Sequence, residues 1–294
     1  MNRTTLAIGL LRSCARLPLP CLHAVGVALG WLAWLIPNPL RRIVAINVQR
    51  CLPELEPRAR RRLLRRNLTE TGKGLLELGS LWLWPGHKVL AKVRAVEGQA
   101  EWQAALAEGR GAIAITPHLG AWEVAGLYLS SLGPLTTLYR PSRLGEEVDH
   151  LICAARARLG AQLVATDQRG VRRLVQTLRQ GHALGILPDQ DPGDEGGIYA
   201  PFFGQAANTM ILLSRLASRN HTPVVLLYAE RLAWGRGYRL HFERLTAAIA
   251  EAPLTESVAA LNQAVEQAIR RRPEQYLWSY KRFKRQPPGY PKVY

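Results

Sequence analysis

Gly111-Ala-Ile-Ala-Ile-Thr-Pro-His-Leu-Gly-Ala-Trp-Glu123 is the stretch on which the fold turns. Ala112 to Ile115 is a short apolar run of the kind that fills a buried central strand. Pro117 and Gly120 punctuate it, and a helical stretch follows over 121–130. The order strand, turn, helix leaves His118 in the turn and Glu123 in the first helical turn. Within one continuous helix, a five-residue offset would set the two side chains about 140° apart. They meet only if His118 lies outside the helix and folds back. The carboxylate would then fix the imidazole tautomer and stabilise imidazolium, leaving the other ring nitrogen to take a proton from a hydroxyl. That is a base with its orienter and no nucleophile of the protein's own, so the nucleophile would be a substrate hydroxyl. The plainer alternative is a hydrogen-bonded turn histidine and a glutamate that complements the helix dipole.

Outward from this stretch, residues 93–294 alternate strand and helix patterns. Strands are expected near 93–96, 112–115, 135–138, 162–164, 183–187, 223–229 and 238–242, with helices between most of them, including 146–159, 171–180 and 207–219. The alternation predicts an α/β fold with a mixed, largely parallel sheet flanked by helices. Sites in such folds form at the carboxyl ends of strands. His118, Arg140 and the run from Pro188 to Asp191 all follow such ends. Arg140 and Arg143 sit in the loop after the third strand, where a guanidinium can hold a phosphate by two parallel bonds; pairing with Glu146 or Glu147 is the simpler use. Asp189 and Gln190 are placed to hydrogen-bond sugar hydroxyls or to anchor the loop that carries His118. Asp191, Asp194 and Glu195 lack the full spacing of a calcium loop.

Ahead of the sheet, residues 17–36 form an apolar run in which His23 is the one ionisable side chain, with Arg12 and Arg16 before it and Arg41 and Arg42 after it. Its length suits a bilayer-crossing helix, with Trp31 and Trp34 at the interface. Pro37-Asn-Pro39 follows where a cleavage site would stand, which favours an uncleaved anchor. Pro18 and Pro20 leave room for a helix lying in the interface instead. Helices are expected over 39–52 and 57–84, the second basic at its start and apolar at its end. Three segments result: a membrane anchor over 1–37, a helical membrane-proximal region over 38–92, and an α/β domain over 93–294.

With 294 residues and 48% hydrophobic side chains, the chain can bury a sizeable core. A net charge of +17, mostly from arginine, favours anionic partners: nucleic acid, an acidic membrane surface or an acidic carrier protein. Cys14, Cys21, Cys51 and Cys153 have no paired short spacing and read as free thiols. No Walker loop, zinc-protease His-Glu-x-x-His or Gly-x-Ser-x-Gly elbow occurs, and the last absence argues against a serine esterase. At the C-terminus, Tyr276, Trp278, Tyr280 and Phe283 interleave with Lys281, Arg282, Lys284 and Arg285. That pattern suits an anionic lipid interface or single-stranded nucleic acid, and a packed helix end with a solvated tail is the third option.

His118, four residues, then Glu123 resembles the His-four-residues-acid signature of glycerolipid acyltransferases. Tyr139-Arg-Pro-Ser-Arg143, Leu187-Pro-Asp-Gln-Asp-Pro-Gly193, Pro201-Phe-Phe-Gly204 with Asn208-Thr-Met210, and the stretch from Tyr276 to Lys284 follow in an order similar to the late acyltransferases of lipid A biosynthesis. The resemblance runs from the first hydrophobic segment nearly to the C-terminus. It implies transfer of a fatty acyl group, lauroyl-like, from acyl carrier protein to a hydroxyl of a lipid A precursor at the inner membrane. The chain beyond the anchor would then be cytoplasmic. It casts His118 and Glu123 as catalytic, and Arg140, Arg143, Asp189 and Gln190 as substrate-binding. It calls for no metal and no cofactor beyond the carrier-bound thioester. Phe202 and Phe203 could line an acyl groove, though phenylalanines in such a stretch are more often core, and the C-terminal cluster would meet lipid rather than nucleic acid. Another glycolipid or a lysophospholipid could be the acceptor. A non-catalytic, membrane-anchored anion-binding protein is the reading from another class.

Overall fold

The computed structural model describes residues 3–142 and 145–294. Four helices come first: α1 (Arg3–Ala15), α2 (Leu19–Leu35), α3 (Pro39–Cys51) and α4 (Pro57–Leu83). The apolar run expected as one helix over 17–36 starts at Leu19 instead. Pro18 lacks an N–H and disfavours helical backbone in the residue before it, which separates α2 from α1. At 17 residues α2 falls short, and no single helix among the described residues is long and apolar enough to cross a membrane. Only the pair α2 and α3, bent by 82°, passes that test together. The bend is built by Asn38, whose side chain accepts a hydrogen bond from the Arg41 backbone N–H at 2.9 Å, and by Pro39 at the first position of α3.

Helix α2 runs against α4 at backbone distance. A Cβ on Gly26 would lie 2.6 Å from the Lys73 backbone nitrogen, and one on Gly30 would collide with the backbone of Leu68 and Thr69. Behind this pair lies a buried polar knot. Arg231 donates Nε to both Glu77 carboxylate oxygens at 3.0 and 3.1 Å, adds an Nη2 bond to the same group, and reaches Glu70 at 3.1 Å. His23 and the Tyr238 hydroxyl bond Glu77 at 3.2 and 3.1 Å. Burial opposes the Glu77 charge, but the Arg231 guanidinium and the bonds from His23 and Arg231 bring its carboxyl down to about 2.

The sheet consists of β1 (Val93–Glu97), β2 (Ala112–Ile115), β3 (Leu135–Tyr139), β4 (Gln162–Ala165), β5 (Ala183–Ile186), β8 (Val224–Arg231) and β9 (Tyr238–Arg244); β6 (Gly197–Phe202) and β7 (Gln205–Met210) form a separate hairpin. Its order is β1-β9-β8-β2-β5-β3-β4. Every neighbouring pair is parallel except β8 and β9, which are antiparallel. All four residues of β2 are buried, with Ile113 and Ile115 in the core on one face and Ala112 and Ala114 in the core on the other. This is the mixed, largely parallel α/β sheet that the alternating pattern predicts.

The expected helix over 207–219 is half strand. Residues up to Met210 pair with β6, and the helix is Leu212–Arg219. Asn208 and Thr209 hold the strand there: Asn208 Nδ2 donates to the Gly193 carbonyl at 2.7 Å, and Asn262 Nδ2 donates to Thr209 Oγ1 at 3.0 Å. The C-terminal aromatics also differ from expectation. Tyr276, Trp278 and Phe283 are buried and pack with Phe202 and Phe203 as core. Arg282 is buried too, donating to the Asn208 carbonyl at 2.6 Å and to Thr209 Oγ1 at 2.7 Å. These side chains are therefore unavailable to a lipid surface, and the two phenylalanines do not line a groove. Asn47 on α3 donates to the Trp278 and Tyr280 carbonyls at 2.6 and 2.8 Å. Asn67 on α4 donates to those of Glu274 and Tyr276 at 2.9 and 2.7 Å.

Candidate active site

After β2 the Thr116 N–H still bonds the Ile186 carbonyl of β5 at 3.0 Å, and the chain then turns at Pro117. The turn is gripped from two sides. Gly120 donates to the Gln275 carbonyl at 3.0 Å, Ala121 to Ala229 of β8 at 2.8 Å, and Leu277 donates to the His118 carbonyl at 3.0 Å. Gly120 has φ +64, and a Cβ there would strike the Ala229 carbonyl oxygen. Glycine is required on both counts.

The turn sets His118 above the carboxyl end of β5, beside the loop that continues it. Asp189 in that loop accepts from the His118 backbone N–H at 3.0 Å and lies 2.8 Å from Nδ1. Burial opposes ionisation of Asp189, but the charge and hydrogen bonds of His118 hold its carboxyl below the usual range. An ionised carboxylate only accepts, so Nδ1 donates to it and Nε2 is the ring nitrogen left for other partners. The Gln190 amide nitrogen lies 3.1 Å from Nε2.

Glu123 is not the carboxylate that holds His118. It starts the helix Trp122–Ser131 and reaches the neighbouring helix Glu146–Ala157, where Arg156 donates Nε at 3.0 Å and Nη2 at 2.5 Å. Trp122, not Glu123, faces the imidazole, with ring centroids 5.1 Å apart. Adjacency in sequence suggested Glu123 as the group that contacts the ring. Strand order puts Asp189 there instead, because β2 and β5 are neighbours and their carboxyl ends abut. Arg156 had drawn no attention in the sequence, which offers only an arginine in a helix.

His118 and Gln190 line a cavity of about 360 Å³ together with Arg140, Arg156 and Asp191. Arg140 is exposed at this opening, and Arg143 lies outside the described residues. Asp191 is buried and occupied within the protein, accepting from Arg285 at 2.7 Å and from the Gly193 N–H at 2.9 Å. A second, smaller and mainly apolar cavity of about 60 Å³ adjoins the first, lined by Leu81, Trp82, Leu127, Leu129, Leu135 and Leu138. Leu138, Leu187 and Arg156 border both cavities.

A histidine–aspartate pair thus stands at the carboxyl edge of an α/β sheet, beside a cavity with a cationic opening and an adjoining apolar recess. Such a pair defines a site for general acid–base chemistry. The chain belongs to the bacterial lipid A biosynthesis acyltransferase family, which it matches over residues 2–285. It is 30% identical to the lipid A biosynthesis palmitoleoyltransferase of Escherichia coli (strain K12) over 299 aligned residues, covering 99% of this chain and 94% of that protein. Identity to the lauroyltransferase of the same organism is also 30%, over 298 residues with the same two shares. To its myristoyltransferase it is 24%, over 89% of this chain and 80% of the relative.

Proposed function

We propose that the chain transfers a fatty acyl group, of the lauroyl type, from an acyl carrier protein thioester to a hydroxyl of a lipid A precursor. The observation that carries this reading is His118, held through Nδ1 by Asp189 so that Nε2 stands at the junction of a cationic opening and an apolar recess. In this mechanism Nε2 takes the acceptor hydroxyl's proton while the oxygen attacks the thioester carbonyl. Asp189 stabilises the imidazolium that forms, and Nε2 then returns the proton to the departing thiol. Gln190 swings its donor from Nε2 to the incoming substrate.

Arg140 holds a phosphate of the acceptor at the opening, and the acyl chain runs past Leu138 and Leu187 into the apolar recess. Glu123 acts through Arg156, fixing the guanidinium that borders both cavities. The same carrier protein places the reaction on the cytoplasmic side of the inner membrane, to which the N-terminal helices attach the enzyme. The acidic carrier approaches a protein of net charge +17.

The test is acyl transfer by purified, detergent-solubilised protein given acyl carrier protein thioesters and a tetra-acylated lipid A precursor, comparing wild type with His118→Ala. Product from wild type alone supports the reaction and the base together. Product from both variants removes His118 from its role. Product from neither redirects the reading to another glycolipid or lysophospholipid acceptor, or to coenzyme A as donor.

A further inference from the structure

Helix α2 is apolar on every side, yet protein covers only one of them. Leu19, Leu22, His23, Gly26 and Gly30 are buried. Val25, Leu29, Leu32, Leu35 and the adjoining Ile36 point away and are 43% to 63% exposed. Leu6 and Leu10 on α1 and Leu17 in the link are exposed as well. A helix that is hydrophobic all round is normally covered by core or by lipid, and so large an apolar face on a soluble monomer marks an interaction site. Its rim is cationic. Arg12, Arg16, Arg42, Arg61 and Arg62 are exposed. The Arg65 guanidinium sits 4.8 Å from the Trp31 ring centroid, and that of Arg61 sits 5.4 Å from Trp34. Apolar side chains beside paired tryptophans and arginines fit the headgroup boundary of an anionic bilayer.

The partner of α2 decides how it lies there. Close contacts run from Gly26 to Lys73, Gly30 to Thr69, Trp31 to Arg65 and Trp34 to Arg61. The two helices are therefore antiparallel along most of α2. If α2 crossed the hydrocarbon, α4 would enter with Arg61, Arg65, Glu70 and Lys73, a run of charge that the bilayer interior strongly disfavours. Separation is blocked as well, because His23 of α2 and Glu77 of α4 share the buried knot with Arg231 of β8. The sheet would have to follow.

We infer that α2 lies along the surface of an anionic phospholipid bilayer with its outer face sunk to the headgroup boundary, and that none of α1–α4 crosses. This rests on the membrane attachment proposed above and specifies its geometry. The chain before α2 and the chain after α3 then lie on the same side.

Thr5→Cys and Arg58→Cys, each in a Cys21→Ser, Cys153→Ser background, test it with a membrane-impermeant maleimide applied to spheroplasts and to inverted membrane vesicles. Both positions should react in inverted vesicles only. Reaction of Thr5→Cys from the outside with Arg58→Cys reacting from the inside overturns the in-plane geometry and keeps the attachment. Full-length protein found only in the soluble fraction overturns both. A second measurement concerns the exposed face, whose residues support no internal packing. Leu32→Glu with Leu35→Glu should weaken binding of purified protein to phosphatidylglycerol-containing vesicles roughly 10-fold or more. Unchanged binding overturns the assignment of this face.

Discussion

With Asp189 holding the proton on Nδ1, an asparagine in its place changes which ring nitrogen is basic. Its amide can donate to Nδ1 and leave the proton on Nε2, where it blocks the reaction. Asp189→Asn should therefore lower kcat by ~10²–10⁴-fold with the fold retained. Glu123→Gln loosens Arg156 and leaves Nε2 as it is, so steady-state kinetics should show a smaller kcat loss and a larger rise in KM. The reverse ranking would return Glu123 to direct contact with the chemistry. Gly120→Ala tests the turn beneath them. A left-handed backbone angle and a collision with the Ala229 carbonyl predict a loss of at least ~1–2 kcal/mol in a denaturant titration. At this scale the sequence was legible in part. His118 stood out because a strand and a turn aimed it. Asp189 stood out only as a loop anchor or sugar ligand, because its pairing with His118 depends on β2 and β5 lying side by side although three helices and two strands separate them in the chain.

Elements whose boundaries are marked by composition follow the sequence closely. β2, β5 and β8 are uninterrupted apolar runs and fall where expected, as do the starts of α3 and α4, marked by Pro39 and Pro57. The β6–β7 hairpin was unreadable, since Pro201 interrupts β6 and β7 mixes Gln205, Asn208 and Thr209 with alanines in no period-2 apolar pattern, and side-chain bonds to Gly193 and Asn262 hold it. Nothing in α4 announces its knot with β8 either; a glutamate in a helix and an arginine at a strand end are ordinary until they are buried together. Removing one partner strands the other without water, so Glu77→Ala or Arg231→Ala should cost ~3–5 kcal/mol in thermal or denaturant unfolding. The sign with pH follows from the lowered Glu77 carboxyl. Its folded value lies below the unfolded value of about 4.3, so its contribution is complete above that pH and disappears as pH falls towards about 2. Glu77→Gln should flatten the acid limb of unfolding midpoint against pH between those limits.

Across the whole molecule, positive charge is the dominant long-range property. Raising ionic strength from about 0.1 M to 1 M shortens the screening length from about 10 Å to 3 Å. KM for the acyl carrier protein thioester should rise accordingly with kcat preserved, while an uncharged acyl-pantetheine donor should show little change. Equal salt sensitivity for both donors would remove charge steering from carrier docking. The convergence of three loops on one sheet edge was readable from alternation alone. The burial of the C-terminal aromatics was not, because a mixed aromatic-basic sequence reads alike for surface and core until Asn47, Asn67 and Asn208 are seen to take the backbone and Arg282 inward. That inward course also sets a schedule. Gly120 and His118 are pinned by Gln275 and Leu277, which follow every strand of the sheet in the chain. A polypeptide growing from its N-terminus can assemble α1–α4 and the nine strands of the described residues before the segment that grips the His118 turn has been made.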